Sequence, residues 1–178
     1  MVFKKILVAL DRSPQSELVF TQALEIAQEG ESRLLLFHGL SWDTDGQWTP
    51  YIGTIADVDI YGTFHRLQRE RLQQEIENVH SWLKIYCQQA QSKNIPTEFD
   101  CRVGGSGSKI CEAASNWGAD LIVLGRRGHK GLSEILLGSV SNYTVHHAPC
   151  SVLIVQGVKL PTVKTLVVAD WVNTSNSL

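Results

Sequence analysis

Three glycines and a serine in the second half of the chain have the types and spacing of a phosphate-binding loop. Gly125 and Gly128 follow a short apolar run, and Gly138 and Ser139 come after a further nine residues. Glycines let backbone N–H groups approach a ligand closely, and the start of a helix offers free N–H groups to a phosphate. Basic residues lie within this pattern, namely Arg126, Arg127, His129 and Lys130. The pattern therefore predicts an anionic ligand, of which a phosphate is the simplest.

Two common phosphate motifs are not matched. The P-loop requires G-x-x-x-x-G-K-[ST], and residues 104–109 only imitate it, because Ser108 stands where the second glycine is needed. The dinucleotide fingerprint G-x-G-x-x-G belongs after the first strand, where this chain has Asp11, Arg12, Ser13 and Pro14 instead. The phosphate prediction therefore depends on the second half of the chain.

The other reactive side chains have simpler explanations than catalysis or metal binding. His146, His147 and Cys150 offer three zinc ligands, but structural zinc usually has four. We interpret the two histidines as partners of the negative end of a helix, and His38 as a residue at the end of a strand. The spacing indicates no Ser-His-Asp or Cys-His pair, so we predict neither catalytic residues nor metal ligands.

The composition is that of one globular domain. The chain has 178 residues, of which 43% are hydrophobic and 19% charged, which is too apolar for a disordered protein. Its formal net charge of −2 gives no electrostatic case for nucleic-acid binding. We find neither a signal-peptide pattern nor an apolar run of about 18 residues, so we expect no membrane association. The cysteines make no C-x-x-C pair and are expected to be reduced and mostly buried in a cytoplasmic protein; they are Cys87, Cys101, Cys111 and Cys150.

Short strand patterns alternate with helical patterns along the chain. Strands are predicted at residues 6–10, 34–38, 97–103, 121–124 and 151–155. Helices are predicted to begin at Ser13 and Pro14 and end at Gly30, and to span residues 64–94, 108–117 and about 140–147. This alternation predicts an α/β fold with an open five-stranded parallel sheet and helices on both faces. Ligands of such sheets bind outside the carboxyl ends of the strands.

Two stretches do not fit this alternation. Residues 41–63 lose all periodicity and predict a long connection, in which Trp42 and Trp48 form either a lid over the site or a hydrophobic plug on the sheet. Residues 158–178 are predicted to be a C-terminal extension, with residues 166–169 as a candidate edge strand and a polar tail.

These residues together resemble the universal stress protein family, over about residues 2–156. The family's motif G-x2-G-x9-G-[ST] is matched in full by the three glycines and Ser139. The end of the first strand resembles the family's adenosine-contacting turn, with Asp11 at the acidic position. His38 and Gly39 match the adenine side, although an aliphatic residue often stands where Gly39 is. The connection 41–63 and the tail depart from the family pattern.

The resemblance implies a Rossmann-like domain of the adenine nucleotide alpha hydrolase type over residues 1–157, which binds ATP, with or without Mg²⁺. Asp11 would hydrogen-bond the ribose or orient water, and Ala9 and Gly39 would line the adenine slot. Leu124 and Gly125 would close over the base or ribose. The phosphates would be held by Gly128, Gly138, Ser139 and Val140. Ser141 would lie one step further along the same helix. The implied nucleotide-binding residues are Ala9, Leu10, Asp11, Gly39, Leu124, Gly125, Gly128, Gly138, Ser139, Val140 and Ser141.

The resemblance further implies a cytoplasmic stress-response protein that forms a homodimer through its last strand and acts as a nucleotide-binding signalling module. Hydrolysis is expected to be slow or absent, with weak ATPase activity or autophosphorylation left open. Two alternatives also remain open. One is a dimeric scaffold of the same fold that binds no nucleotide, and the other is an enzyme of the related ATP-pyrophosphatase class.

Overall fold

The computed structural model describes residues 2–40, 58–126 and 137–156, with side chains from Arg66 onward in the second of these ranges. Its five strands form one parallel sheet in the order β3-β2-β1-β4-β5. The strands are β1 Lys5–Ala9, β2 Arg33–Leu40, β3 Thr97–Val103, β4 Leu121–Gly125 and β5 Ser151–Val155. The predicted open parallel sheet is therefore confirmed.

Four helices cover the two faces of this sheet. They are α1 Ser16–Gly30, α2 Val58–Ser92, α3 Ser106–Trp117 and α4 Ser139–His147. Side chains alternate between the faces along each strand, so Val8 packs with α1 and α2, whereas its neighbours Leu7 and Ala9 pack with α3 and α4. The strands β1, β2 and β4 are buried on both faces, which explains their continuous apolar sequences.

The position of β3 at the edge of the sheet explains the polar alternation of its sequence. Among the described strands it pairs only with β2, and its residues are partly or fully exposed. Arg102 on this strand contacts Asp100 at 2.9 Å and Glu112 of α3 at 3.3 Å. Charged side chains at a sheet edge oppose pairing with another chain.

The predicted start of α1 was wrong, whereas its predicted end at Gly30 was confirmed, with Glu31 and not Gly30 as the C-cap residue. The helix begins at Ser16 and not at Ser13 or Pro14, because a turn held by Asp11 precedes it. Gly30 is the last helical residue, and the left-handed residue that ends the helix is Glu31, with φ of 50°. A Cβ on Gly30 would lie 2.7 Å from Oγ of Ser32, so close packing requires this glycine.

The predicted long connection was also too long, because α2 already begins at Val58. Asp59 and Gly62 favour a loop, but a single glycine costs a helix only about 1 kcal/mol and is tolerated in a long one. Similarly, α3 begins at Ser106, so the glycine-rich turn before it is shorter than predicted. Trp42, Trp48, Gly128 and residues 157–178 lie outside the described residues.

The prediction that most cysteines are buried was wrong. Cys87 is buried against the sheet, whereas the other three are partly exposed, and all four thiols are free. Burial nevertheless raises the pKa of each thiol above its usual value. Among the described helices, none is both long and apolar enough to span a membrane.

Candidate ligand site at the carboxyl edge of the sheet

The candidate site lies where the strand order reverses, between β1 and β4. The chain leaves β1 towards β2 on one side and returns to β4 on the other. Ala9 of β1 is the register partner of both Phe37 of β2 and Leu124 of β4. The side chains of Ala9 and Leu124 point into the same core cluster under α3 and α4. Both side chains are buried and form the floor beneath the place where an open parallel sheet binds its ligand, in the crevice outside the carboxyl ends of its strands. Leu124, which is 3% exposed, contributes packing rather than an open contact surface.

Asp11 organises the turn that leaves β1. Its Oδ1 accepts hydrogen bonds from the backbone N–H of Ser13 and the hydroxyl of Ser16, both at 3.0 Å. The Ser16 hydroxyl also contacts the carbonyl oxygen of Asp11. Among the described residues none donates to Oδ2 of Asp11, whose side chain is partly buried. Asp11 thus holds the start of α1 with one oxygen, and its other oxygen has no donor in the described part of the chain.

His38 ties the ends of β1 and β2 together. Its Nδ1 lies 2.8 Å from the carbonyl oxygen of Leu10 and donates to it. The ring also meets Trp82 of α2 edge-on, with centroids 5.6 Å apart. Burial lowers the pKa of His38 below its usual 6.5, although the hydrogen bond to Leu10 acts in the opposite direction. His38 therefore fixes the turn that carries Leu10 and Asp11, a role that its position at a strand end did not reveal.

The end of β4 is bound directly to the start of α4. The backbone N–H of Gly138 donates to the carbonyl oxygen of Arg126 at 3.0 Å. The buried hydroxyl of Ser141 donates to the carbonyl oxygen of Gly125 at 2.7 Å. These bonds bring the first and last parts of the glycine motif together. The Ser141 hydroxyl is a positioning group, since its proton is already used on Gly125.

The first turn of α4 offers unused donors at this edge. Gly138 is the N-cap residue, no side chain caps the helix, and the turn contains no acidic residue. In the described part of the chain, the N–H groups of Ser139, Val140 and Ser141 have no acceptor. Ser139 is exposed and Val140 partly buried. Such a terminus attracts an anion through its N–H groups and the helix dipole.

Gly39 at the end of β2 is packed against the start of α3. A Cβ added to Gly39 would lie 2.8 Å from Cα and 2.9 Å from Cβ of Ser106. The Ser106 hydroxyl donates to the carbonyl oxygen of Gly39 at 3.0 Å. The next residue of α3, Gly107, is packed against α4 in the same way. A Cβ added to Gly107 would lie 2.9 Å from the Tyr143 ring of α4. The two glycines allow α3 to lie close to both β2 and α4.

The structure thus brings most of the predicted site residues to one edge. Ala9, Gly39 and Leu124 share the face of α3 and α4, while Asp11 and the start of α4 border the crevice. Sequence reasoning missed Ser16, which contacts Asp11 five residues earlier, and Ser106, which contacts Gly39 in a separate segment. Within the described ranges, no three His, Cys, Asp or Glu side chains converge as a metal-binding group.

The fold and the site define a class: an open parallel α/β domain with an anion-attracting helix start at its topological switch point. The family model for the universal stress protein family matches residues 2–156. Universal stress protein Sll1388 of Synechocystis sp. is 40% identical over 164 residues, which cover 88% of this chain and 99% of that protein. The chain belongs to the universal stress protein family.

Solved structures share the fold. Universal stress protein UspA of Lactobacillus plantarum superposes with a TM-score of 0.69 at 24% identity, covering 87% of this chain and 99% of that one. A universal stress protein in complex with cAMP gives 0.56 at 22%, covering 88% and 98%. An Arabidopsis thaliana family member with AMP bound gives 0.56 at 18%, covering 88% and 93%.

Proposed function

We propose that this chain binds ATP in the crevice between β1 and β4 and acts as a nucleotide-binding signalling module. The observation that carries the proposal is the row of unused N–H groups at Ser139, Val140 and Ser141. Phosphate oxygens are the acceptors that such a helix start prefers. The cAMP and AMP bound by the two family members above support an adenine nucleotide.

The spacing of the strands is compatible with the length of the rest of the nucleotide. Neighbouring strands lie about 4.8 Å apart, so the path from β4 over β1 to β2 covers about 10 Å. With the phosphates at α4, the ribose then lies near Oδ2 of Asp11, and the base lies near Ala9 and Gly39. The backbone of Gly125 borders the path between them, while Leu124 and Leu10 support it from the core.

We propose that Mg²⁺, where it is bound, accompanies the phosphates of the nucleotide. The ion usually keeps several waters and is bound through the phosphates of a substrate with one or two carboxylates; because the free oxygen of Asp11 faces the ribose in this arrangement, Mg²⁺ would be held mainly by the phosphates and water. Fast phosphoryl transfer also needs a group that orients the attacking nucleophile. We therefore propose that ATP acts mainly as a bound signal and is hydrolysed slowly.

We further propose that the chain is a cytoplasmic homodimer. β5 pairs with β4 on one side, and no described residue pairs with its other edge. Its residues Val152, Leu153 and Ile154 are only partly buried, so pairing with a second copy would cover them. The family match to residues 2–156 supports a domain at 1–157 followed by an extension.

The test is to identify the small molecules released when the purified chain is denatured, followed by calorimetric titration with ATP, AMP and cAMP. Co-purified ATP, or micromolar ATP binding, is the expected result. If the chain carries no nucleotide and ATP gives no binding heat, the proposal is wrong and a scaffold of the same fold remains.

A further inference from the structure

Ser106 occupies the place of the missing side chain at position 39. A Cβ on Gly39 would lie 3.0 Å or less from Cα, Cβ and Oγ of Ser106. The side of the crevice at the end of β2 is therefore formed by the first residue of α3 and not by β2 itself. A hydroxyl group stands where an aliphatic side chain on β2 would otherwise stand.

The hydroxyl of Ser106 retains hydrogen-bonding capacity. It donates its single proton to the carbonyl oxygen of Gly39, which leaves its oxygen lone pairs as acceptors. Ser106 is partly exposed, so a ligand can reach it. The neighbouring side chain of the floor, Ala9, is small and apolar, so Ser106 provides the polar side chain at this end of the crevice.

We propose that Ser106 recognises the base of the nucleotide: its hydroxyl oxygen accepts a hydrogen bond from the exocyclic amino group of the base. This inference rests on the proposed function, which places the base at the end of β2. The Gly39 carbonyl fixes the orientation of the hydroxyl, so that the acceptor side faces the ligand. A purine with a 6-amino group is then preferred over one without it.

A cycle of one protein change and one ligand change tests the proposal. The ligands are ATP and purine riboside 5′-triphosphate, which lacks the 6-amino group without added bulk. The unmodified chain is expected to bind ATP about tenfold more tightly than purine riboside triphosphate, the effect of about one hydrogen bond. In Ser106→Ala this ratio is expected to fall to within about twofold, since the acceptor is gone.

Ser108→Ala is the matched control. Ser108 lies in the same helix turn, is exposed and donates its hydroxyl proton to Gly105 at 2.8 Å, and its removal is expected to leave the ratio at about tenfold. A ratio near one in the unmodified chain overturns the inference, even where Ser106→Ala does not fold. A ratio that stays near tenfold in folded Ser106→Ala also overturns it. If neither triphosphate binds to the unmodified chain, the proposed function fails as well, which separates the two conclusions.

Discussion

Replacement of Ser139 by proline removes one backbone donor from the proposed phosphate site without breaking the fold. Proline is favoured at the first position of a helix, where its missing N–H has no partner in the helix. The preceding Gly138 has φ of −59° and ψ of 155°, which is the conformation that a residue before proline adopts. Because the N–H of Ser139 has no acceptor among the described residues, the substitution removes no hydrogen bond of the described part of the chain.

The magnitude follows from the strength of a hydrogen bond to a charged group. Such a bond contributes about 1.5–3 kcal/mol, and about 1.4 kcal/mol corresponds to a tenfold change in Kd. Ser139→Ala removes the hydroxyl and keeps the N–H, so it is the matched control. We expect Ser139→Pro to bind ATP about 30-fold more weakly than Ser139→Ala, a difference of about 2 kcal/mol.

Calorimetric titration with ATP and with adenosine measures this effect. Adenosine has no phosphate, so its Kd is expected to be the same for both variants within about twofold. Urea denaturation is expected to show free energies of unfolding that agree within about 0.5 kcal/mol, as for a surface substitution. If folded Ser139→Pro binds ATP as tightly as Ser139→Ala, the phosphates do not lie at the start of α4 and the reasoning is refuted.

Three further predictions concern the stability of the free chain. Gly39→Ala is expected to lower the free energy of unfolding by about 1–3 kcal/mol, because its Cβ would overlap Ser106. Urea denaturation checks this against Gly105→Ala, whose Cβ would meet, among the described atoms, the Ser108 hydroxyl alone, at 3.3 Å. Burial lowers the pKa of His38 below 6.5, so the folded chain binds fewer protons than the unfolded chain below that pH. Stability is therefore expected to fall as the pH drops below 6.5, and less steeply in His38→Asn, whereas equal slopes of unfolding free energy against pH would contradict this cause. Arg12→Ala is expected to cost less than about 1 kcal/mol in the same assay, because its ion pair with Glu75 is about 40% exposed on both sides.

The sheet was predictable because each of its strands is marked by local sequence. The continuous apolar runs of β1 and β4 and the polar alternation of β3 indicate which strands are central and which lies at an edge. The start of α1 was not predictable in this way. It depends on a turn in which Oδ1 of Asp11 accepts from the N–H of Ser13 and the hydroxyl of Ser16, and the hydrophobic pattern carries no sign of that turn.

In the candidate site, too, the features marked by local sequence were predicted and those that depend on distant contacts were not. The glycine motif and Asp11 were recognisable because their spacing along the chain carries the signal. Ser106 was not, because its role depends on Gly39, which is distant in sequence and lacks the side chain that Ser106 replaces. The hydroxyl of Ser141 is buried and donates to Gly125, so the predicted contact of Ser141 with the ligand is left to its backbone N–H and stays a prediction.

The same contacts favour α4 over α1 as the proposed phosphate site. In dinucleotide-binding folds, the helix after the first strand carries the pyrophosphate. Here Asp11 places its carboxylate at the start of α1, and Glu17 adds a second acid in the first turn. Both negative charges oppose an anion at that helix. The start of α4 has neither a side-chain cap nor an acid, so the crevice has one end suited to phosphate and a carboxylate at the adjacent strand suited to the ribose hydroxyls.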